Sequence, residues 1–350
     1  MHLGYYVLAS LAAPFALAVE HAAATVRGRR IYSFAGTINS LSQHLVEMAL
    51  TVALTLDVFA GYSWLSARIA IAAPPASSWL TWVLTFVAVD GLYYVGHRAC
   101  HRVGFLWALH AVHHQAPEYN LSVGLRGPWL SALQIAPFML PLALVGVPTE
   151  VLFPVYAVHT LYKLFVHTDL VGDFGLLDAL LVSPAQHRVH HATNPEYAGK
   201  NYGGVLSVWD RLLGTARRET VAPTFVRADA DADVSWNPLR NNVDPWIALA
   251  RRVRSAGSVS RALRVLISTG AGPGGERPAV RHDVGARAEL DAGARIPVAT
   301  AFGLIGAITV GFLAFGPGLG FVARCALAAA ITAAVVEVNR RCRVVREPAR

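Results

Sequence analysis

The chain has 350 residues, 54% of them hydrophobic and only 15% charged, where an ordinary soluble domain carries about a quarter charged residues. That composition excludes a soluble, disordered or collagen-like protein, and three isolated cysteines exclude a disulfide-stapled scaffold. The formal charge of +8 is almost all arginine, with two lysines in the chain; the arginines fall between apolar runs, which reads as membrane topology and not as nucleic-acid binding.

Crossing a hydrocarbon core of roughly 30 Å takes about 20 mostly apolar residues, and several stretches qualify in chain order. Residues 3–19 read as a retained first helix, because no basic residues precede the apolar run as they would in a signal peptide. Residues 41–60, carrying Glu47 and Asp57, form the second run, and residues 79–96, carrying Asp90, the third. Residues 129–147, kinked at Pro137 and Pro141, and residues 151–166 follow one another closely and predict a helical hairpin. Residues 297–315 and 318–338 make a last hairpin, split by Gly316, Pro317 and Gly318. The number of crossings is about five to seven, because residues 41–73 read as one long helix or as a helix plus a re-entrant piece; counted as seven, with Arg27, Arg29 and Arg30 in the cytoplasm, they place the basic carboxy-terminal tail and every histidine cluster on that same side.

The fold class that results is all-α, a multi-pass transmembrane helical bundle with a cytoplasmic histidine-rich helical cap holding a di-metal site. Its organisation is amino-terminal membrane helices over 1–78, a catalytic unit over 79–220, a cytoplasmic segment and linker over 221–296, and a membrane hairpin with basic tail over 297–350. Residues 255–295 have little apolar material to bury and predict a flexible linker.

Ten of the fourteen histidines lie between His97 and His191. They form His97-Arg-Ala-Cys-His101, His110-Ala-Val-His113-His114 and His187-Arg-Val-His190-His191. Helical spacings of i, i+3 and i+4 point each cluster in one direction, so that the members of a cluster are expected to share a metal. His101 and His110 would face opposite ways on one continuous helix, which requires a break near Gly104. Imidazole suits iron, zinc, copper and nickel, and so many histidines without cysteine argue for two redox-active ions. His2, His21, His44 and His282 read instead as ordinary hydrogen-bonded residues. Asp90 shares the helical face of His97 and His101; a carboxylate inside a span needs a reason, and an imidazole partner supplies one. His159 lies below His167 on one face, as a pocket or core residue. Asn120, Arg126, Asp169, Asn201 and Asp210 are further polar candidates, whereas Tyr93, Tyr94 and Trp107 read as interfacial packing residues.

This series, together with Phe105-Leu-Trp-Ala-Leu-His110, Glu118-Tyr-Asn120, Phe165-Val-His167-Thr168, Lys200-Asn-Tyr-Gly203 and Trp209-Asp210, resembles the fatty acid hydroxylase and sterol desaturase superfamily of membrane di-iron enzymes. Within it the stretch looks most like the alkylglycerol monooxygenase branch. The resemblance implies iron ligands at His97, His101, His110, His113, His114, His187, His190 and His191, with a further ligand at His167. One departure is Arg102, where that branch tends to carry an acidic residue; it bears on that branch's ether-lipid substrate and pterin cofactor.

The reaction expected is hydroxylation or desaturation of a membrane lipid, such as a fatty acyl, ether lipid or sterol-like substrate, with two iron ions and O2. Asp90, Asn120 and His159 are the candidate residues beyond the ligands. The chain shows no dinucleotide loop and no CxxCH haem motif, so electrons are expected from a separate redox protein or small reductant, docked on residues such as Arg98, Arg188 and Arg217. A membrane zinc hydrolase and a histidine-lined metal transporter or sensor are the alternatives. The arginine and alanine bias suggests a bacterial plasma membrane, with the metal site facing the cytoplasm.

Overall fold

The structure is a computed structural model that describes residues 3–54, 58–225, 237–268 and 292–342. His2, His282, Asp57 and most of the expected linker lie outside the described residues. Among those described, the chain is helical, and the only extended pairing is an isolated bridge between Leu181 and Leu206. The helices are α1 (Leu3–Val26), α2 (Phe34–Ala53), α3 (Val58–Ile69), α4 (Trp79–Arg102), α5 (Gly104–His110), α6 (Leu121–Gly124) and α7 (Ala132–Val145). They continue as α8 (Thr149–Phe165), α9 (Pro184–His191), α10 (Val208–Leu212), α11 (Pro238–Arg254), α12 (Val259–Ile267), α13 (Ala292–Phe315) and α14 (Phe321–Arg341).

Among the described residues three stretches are long and apolar enough to cross a membrane: α4, residues Arg295–Gly318, which cover most of α13 and the turn after it, and α14. The other runs differ from the expected spans for local reasons. The second run is interrupted: α2 ends at Ala53 and α3 starts at Val58, and α2 buries Asn39, Ser40, Ser42 and Gln43. At 14 residues, α7 reaches about 21 Å at 1.5 Å per residue, short of the hydrocarbon thickness. The expected α7–α8 hairpin does not form as drawn, since each helix packs on α4 instead of along the other.

Two apolar clusters organise the bundle. One joins α2, α13 and α14 through residues such as Val46, Val52, Phe312, Ile331 and Val335. The other joins α3, α4, α7 and α8 through Tyr62, Val89, Met139, Leu142, Val151 and Phe153. The outer face of α4 shows Trp79, Leu80, Trp82, Val83, Leu84 and Val87 to the surroundings, a surface that suits lipid.

α4 ends at Arg102 and α5 begins at Gly104, so the chain breaks where the histidine spacing requires it. Past residue 255, where a linker was expected, Val259–Ile267 is helical instead: its apolar residues recur at helical spacing, a periodicity that the low overall apolar content of the segment concealed.

Candidate metal centre

The site is built from the inner end of α4, α5 and the turn after it, the turn after α8, and α9. In α9 a Ser183–Gln186 capping box and Pro184 in the first turn start a helix of eight residues whose side chains are all buried. Arg188, in the same helix, reaches Asp169 at 3.2 Å and Glu219 at 2.8 Å. It is therefore a buried clamp between two carboxylates, and not the exposed docking residue expected for a redox donor.

The nine histidines fall into two groups. His97, His101, His110, His114 and His190 bring ligand nitrogens within 4.8 Å of one another, and so do His113, His167, His187 and His191. The clusters do not each share one site, as their common helical face had suggested. In each HxxHH motif the i, i+4 pair enters one group and the middle histidine enters the other. His110 and His114 thus join His190, while His187 and His191 join His113. His97 and His101 complete the first group and His167 the second. The turn at His113–Gln115 is 3-10, which helps to separate His113 from its neighbour.

Ring nitrogens meet at 3.1 Å in His110–His114, 3.3 Å in His113–His167, 3.2 Å in His167–His187 and 3.3 Å in His187–His191. Ligands held about 2.1 Å from one ion are separated by roughly 3.0 to 3.4 Å, so the convergence fits a metal. The opposite ring nitrogens are oriented by backbone carbonyls. His97 Nδ1 lies 2.9 Å from Tyr202 O, His113 Nδ1 3.0 Å from Arg126 O, His190 Nδ1 3.0 Å from Lys200 O and His167 Nδ1 2.6 Å from Lys163 O. With its Nδ1 proton given to Tyr202, the buried His97 Nε2 has a bare lone pair and no hydrogen-bond partner, as a ligand nitrogen would. Burial, reinforced by neighbouring imidazoles, holds His110, His114, His167, His187 and His191 far below the ordinary histidine range. His113 is pushed down to about 4, chiefly by burial. These imidazoles are neutral near pH 7, the form that binds metal.

Asp90 and His159 sit beside the groups, not in them. Both are fully buried. Asp90 lies 2.8 Å from His159 Nε2 and accepts from Val205 N at 2.8 Å, Leu206 N at 3.0 Å and Trp209 Nε1 at 2.8 Å. The expected imidazole partner of Asp90 is thus His159, not His97 or His101, and the carboxylate pins the 205–209 loop to α4. Asp210 completes that loop by accepting from Tyr202 N, Gly203 N and Thr215 Oγ1, which fixes the carbonyl under His97. Asn201 takes a left-handed φ of 53°, tolerable for asparagine, and ties Gln186 O to Arg217 O.

Asn120 is placed elsewhere: it caps α6 by accepting from Ser122 N and donates to Ile31 O, and no contact joins it to the histidine groups. Its neighbour Tyr119 is the one that reaches them, with its ring against His167 and His191 and its hydroxyl on Val166 O. Trp107 walls His101 and His114, and Tyr93 lies between His97 and His159. Gly204 is a further residue the spacing did not single out; a Cβ there would stand 2.6 Å from His159 Nε2 and 2.7 Å from Tyr93 Cδ1.

Residues 82–215 match the family model described as fatty acid hydroxylase. An alkylglycerol monooxygenase of Danio rerio is 44% identical over 151 residues, covering 42% of this chain and 32% of the relative. The human alkylglycerol monooxygenase is 41% identical over 150 residues, covering 42% and 32%. An ornithine lipid hydroxylase of Rhizobium tropici is 34% identical over 142 residues, covering 38% and 43%. The aligned region thus spans only about a third of the alkylglycerol monooxygenases it matches. No solved structure matches the chain. The segment that carries the two histidine groups is the one that matches the fatty acid hydroxylase family model.

Proposed function

We propose that the protein is a membrane di-iron oxidoreductase that hydroxylates or desaturates a lipid with O2, using electrons from a separate donor. The observation that carries the proposal is the pair of all-histidine groups interlocked by two split HxxHH motifs at one end of a membrane-length helix. His97, His101, His110, His114 and His190 would hold one iron, and His113, His167, His187 and His191 the other. Bound iron supplies the redox chemistry that lets O2 attack a C–H bond. The chain's own residues hold and shield it. Carbonyls of Tyr202, Arg126, Lys200 and Lys163 keep the imidazoles in the ligand tautomer, Trp107, Tyr119 and Tyr93 exclude water, and the Asp90–His159 pair locks the loop that carries Tyr202. The relatives named as lipid hydroxylases and monooxygenases support a lipid substrate, and the apolar flank of α4 gives it access. By the arginine distribution the groups face the cytoplasm of a bacterial plasma membrane.

Among the described residues no carboxylate enters either group, which weighs against a hydrolase that needs a general base beside its metal-bound water. The test is metal analysis of purified protein from an iron-replete host, combined with oxygen uptake and mass spectrometry of host lipids. One iron for each group and a lipid product that has gained an oxygen atom or lost two hydrogens are expected. Stoichiometric zinc with no oxygen uptake under a working reductant overturns the proposal.

A further inference from the structure

Outside the metal centre, α11 and α12 carry a surface that the chemistry does not use. In α11, Leu239, Val243 and Ile247 recur at i, i+4 and i+8 and are 44%, 41% and 43% exposed. In α12, Val259, Leu263 and Ile267 recur at the same spacing and are 78%, 54% and 65% exposed. Among the described residues each helix thus leaves one apolar stripe partly or largely uncovered. From Pro245 to Ser268 the chain has five arginines, Arg251, Arg252, Arg254, Arg261 and Arg264, and no acidic residue; all five are exposed.

The position of α12 is set by Gly104. A Cβ at Gly104 would overlap the carbonyl oxygen of Val265, so the backbone of α12 lies directly on the break between α4 and α5. That break follows Arg102, the last residue of a membrane-length helix, which puts α12 at the level where α4 leaves the apolar layer. At about 100° per residue, α12 divides into three arcs. Ala262, Val265 and Leu266 are the half-buried arc, facing α5; Val259, Leu263 and Ile267 face outward; Ser260, Arg261 and Arg264 form the polar remainder.

We propose that α11 and α12 form an in-plane anchor seated on the anionic lipid surface of the membrane that α4 spans, with the two apolar stripes among the upper acyl chains and the arginines on headgroup phosphates. A short amphipathic helix with arginines and an exposed apolar arc binds an interface in this way, and each arginine near an anionic leaflet strengthens the attachment. Charge selects this occupant over a second copy of the chain, because self-association through this face would set five arginines against five. The anchor also backs the metal centre. Both α11 and α12 pack on α5, which carries His110, and Phe105 meets Trp246 edge-on with ring centres 5.0 Å apart.

The test is hydrogen exchange on the full chain in phosphatidylcholine nanodiscs with and without phosphatidylglycerol, reading peptides over residues 239–268. Anionic lipid is expected to slow exchange in this region, and added salt to reverse the effect. Arg261→Gln with Arg264→Gln should cut the preference for anionic lipid by about fivefold per arginine while leaving metal content unchanged. Exchange that is the same in both lipids overturns the proposal. So does protection that appears only with rising protein concentration, which would assign the face to a second copy, or only with an added acidic protein.

Discussion

A carboxylate can accept about four hydrogen bonds, and Asp90 meets four groups: His159, two backbone amides and the Trp209 indole. Its place in an apolar helix follows from this, since each partner would otherwise be buried unsatisfied. Asp90→Asn turns one acceptor oxygen into an N–H that points at other donors. The substitution is expected to destabilise the protein by about 3 kcal/mol, seen as a lower unfolding temperature in detergent together with loss of metal; an unchanged melt would show that the loop holds without Asp90. The neighbouring Gly204 serves the same junction by letting the loop backbone close on His159 and Tyr93.

α9 is the element that ties the two groups together, because it delivers His190 to the first and His187 and His191 to the second. The groups differ in redundancy. His190→Ala leaves four histidines in a group of five, whereas His187→Ala leaves three in a group of four. Metal content is therefore expected to fall further in His187→Ala than in His190→Ala, with His21→Ala, at an exposed position, unchanged; equal losses from the two α9 variants would contradict this grouping. The sequence made the histidines, the helix break at Gly104 and the helical class legible, because each is written in the spacing of side chains. It did not show which histidine joins which group, since that depends on how α5 and α9 face one another. Nor could it show the carbonyls of Tyr202, Lys200 and Arg126 behind the imidazoles, because every residue has a carbonyl. α2 begins at Phe34, ahead of the apolar run at 41–60, and this was not legible because the polar row of Asn39, Ser42 and Gln43 finds its partners on distant helices.

That polar row joins the two halves of the molecule. Asn339 on α14 donates to Ser42 Oγ at 2.7 Å and receives Asn39 Nδ2 at 3.0 Å, Arg126 donates to Asn39 Oδ1, and the Arg126 carbonyl lies 3.0 Å from His113 Nδ1. A hydrogen-bonded path thus runs from the last membrane helix to the second histidine group. Asn339→Leu leaves Asn39 and Ser42 short of partners and is expected to lower stability by about 1–3 kcal/mol, with metal lost from the His113 group ahead of the other. Thermal unfolding read alongside metal content checks this, and a stable variant with both groups filled would break the link. The same long-range ties set a timetable for biosynthesis. Asp90, His97 and His101 on α4 emerge from the ribosome more than a hundred residues before Val205, Leu206 and Trp209, whose N–H groups meet the Asp90 carboxylate. A nascent chain halted before Trp209 would leave the Asp90 carboxylate without those partners, so the loop that carries Tyr202 closes on His97 only after α4 has been made.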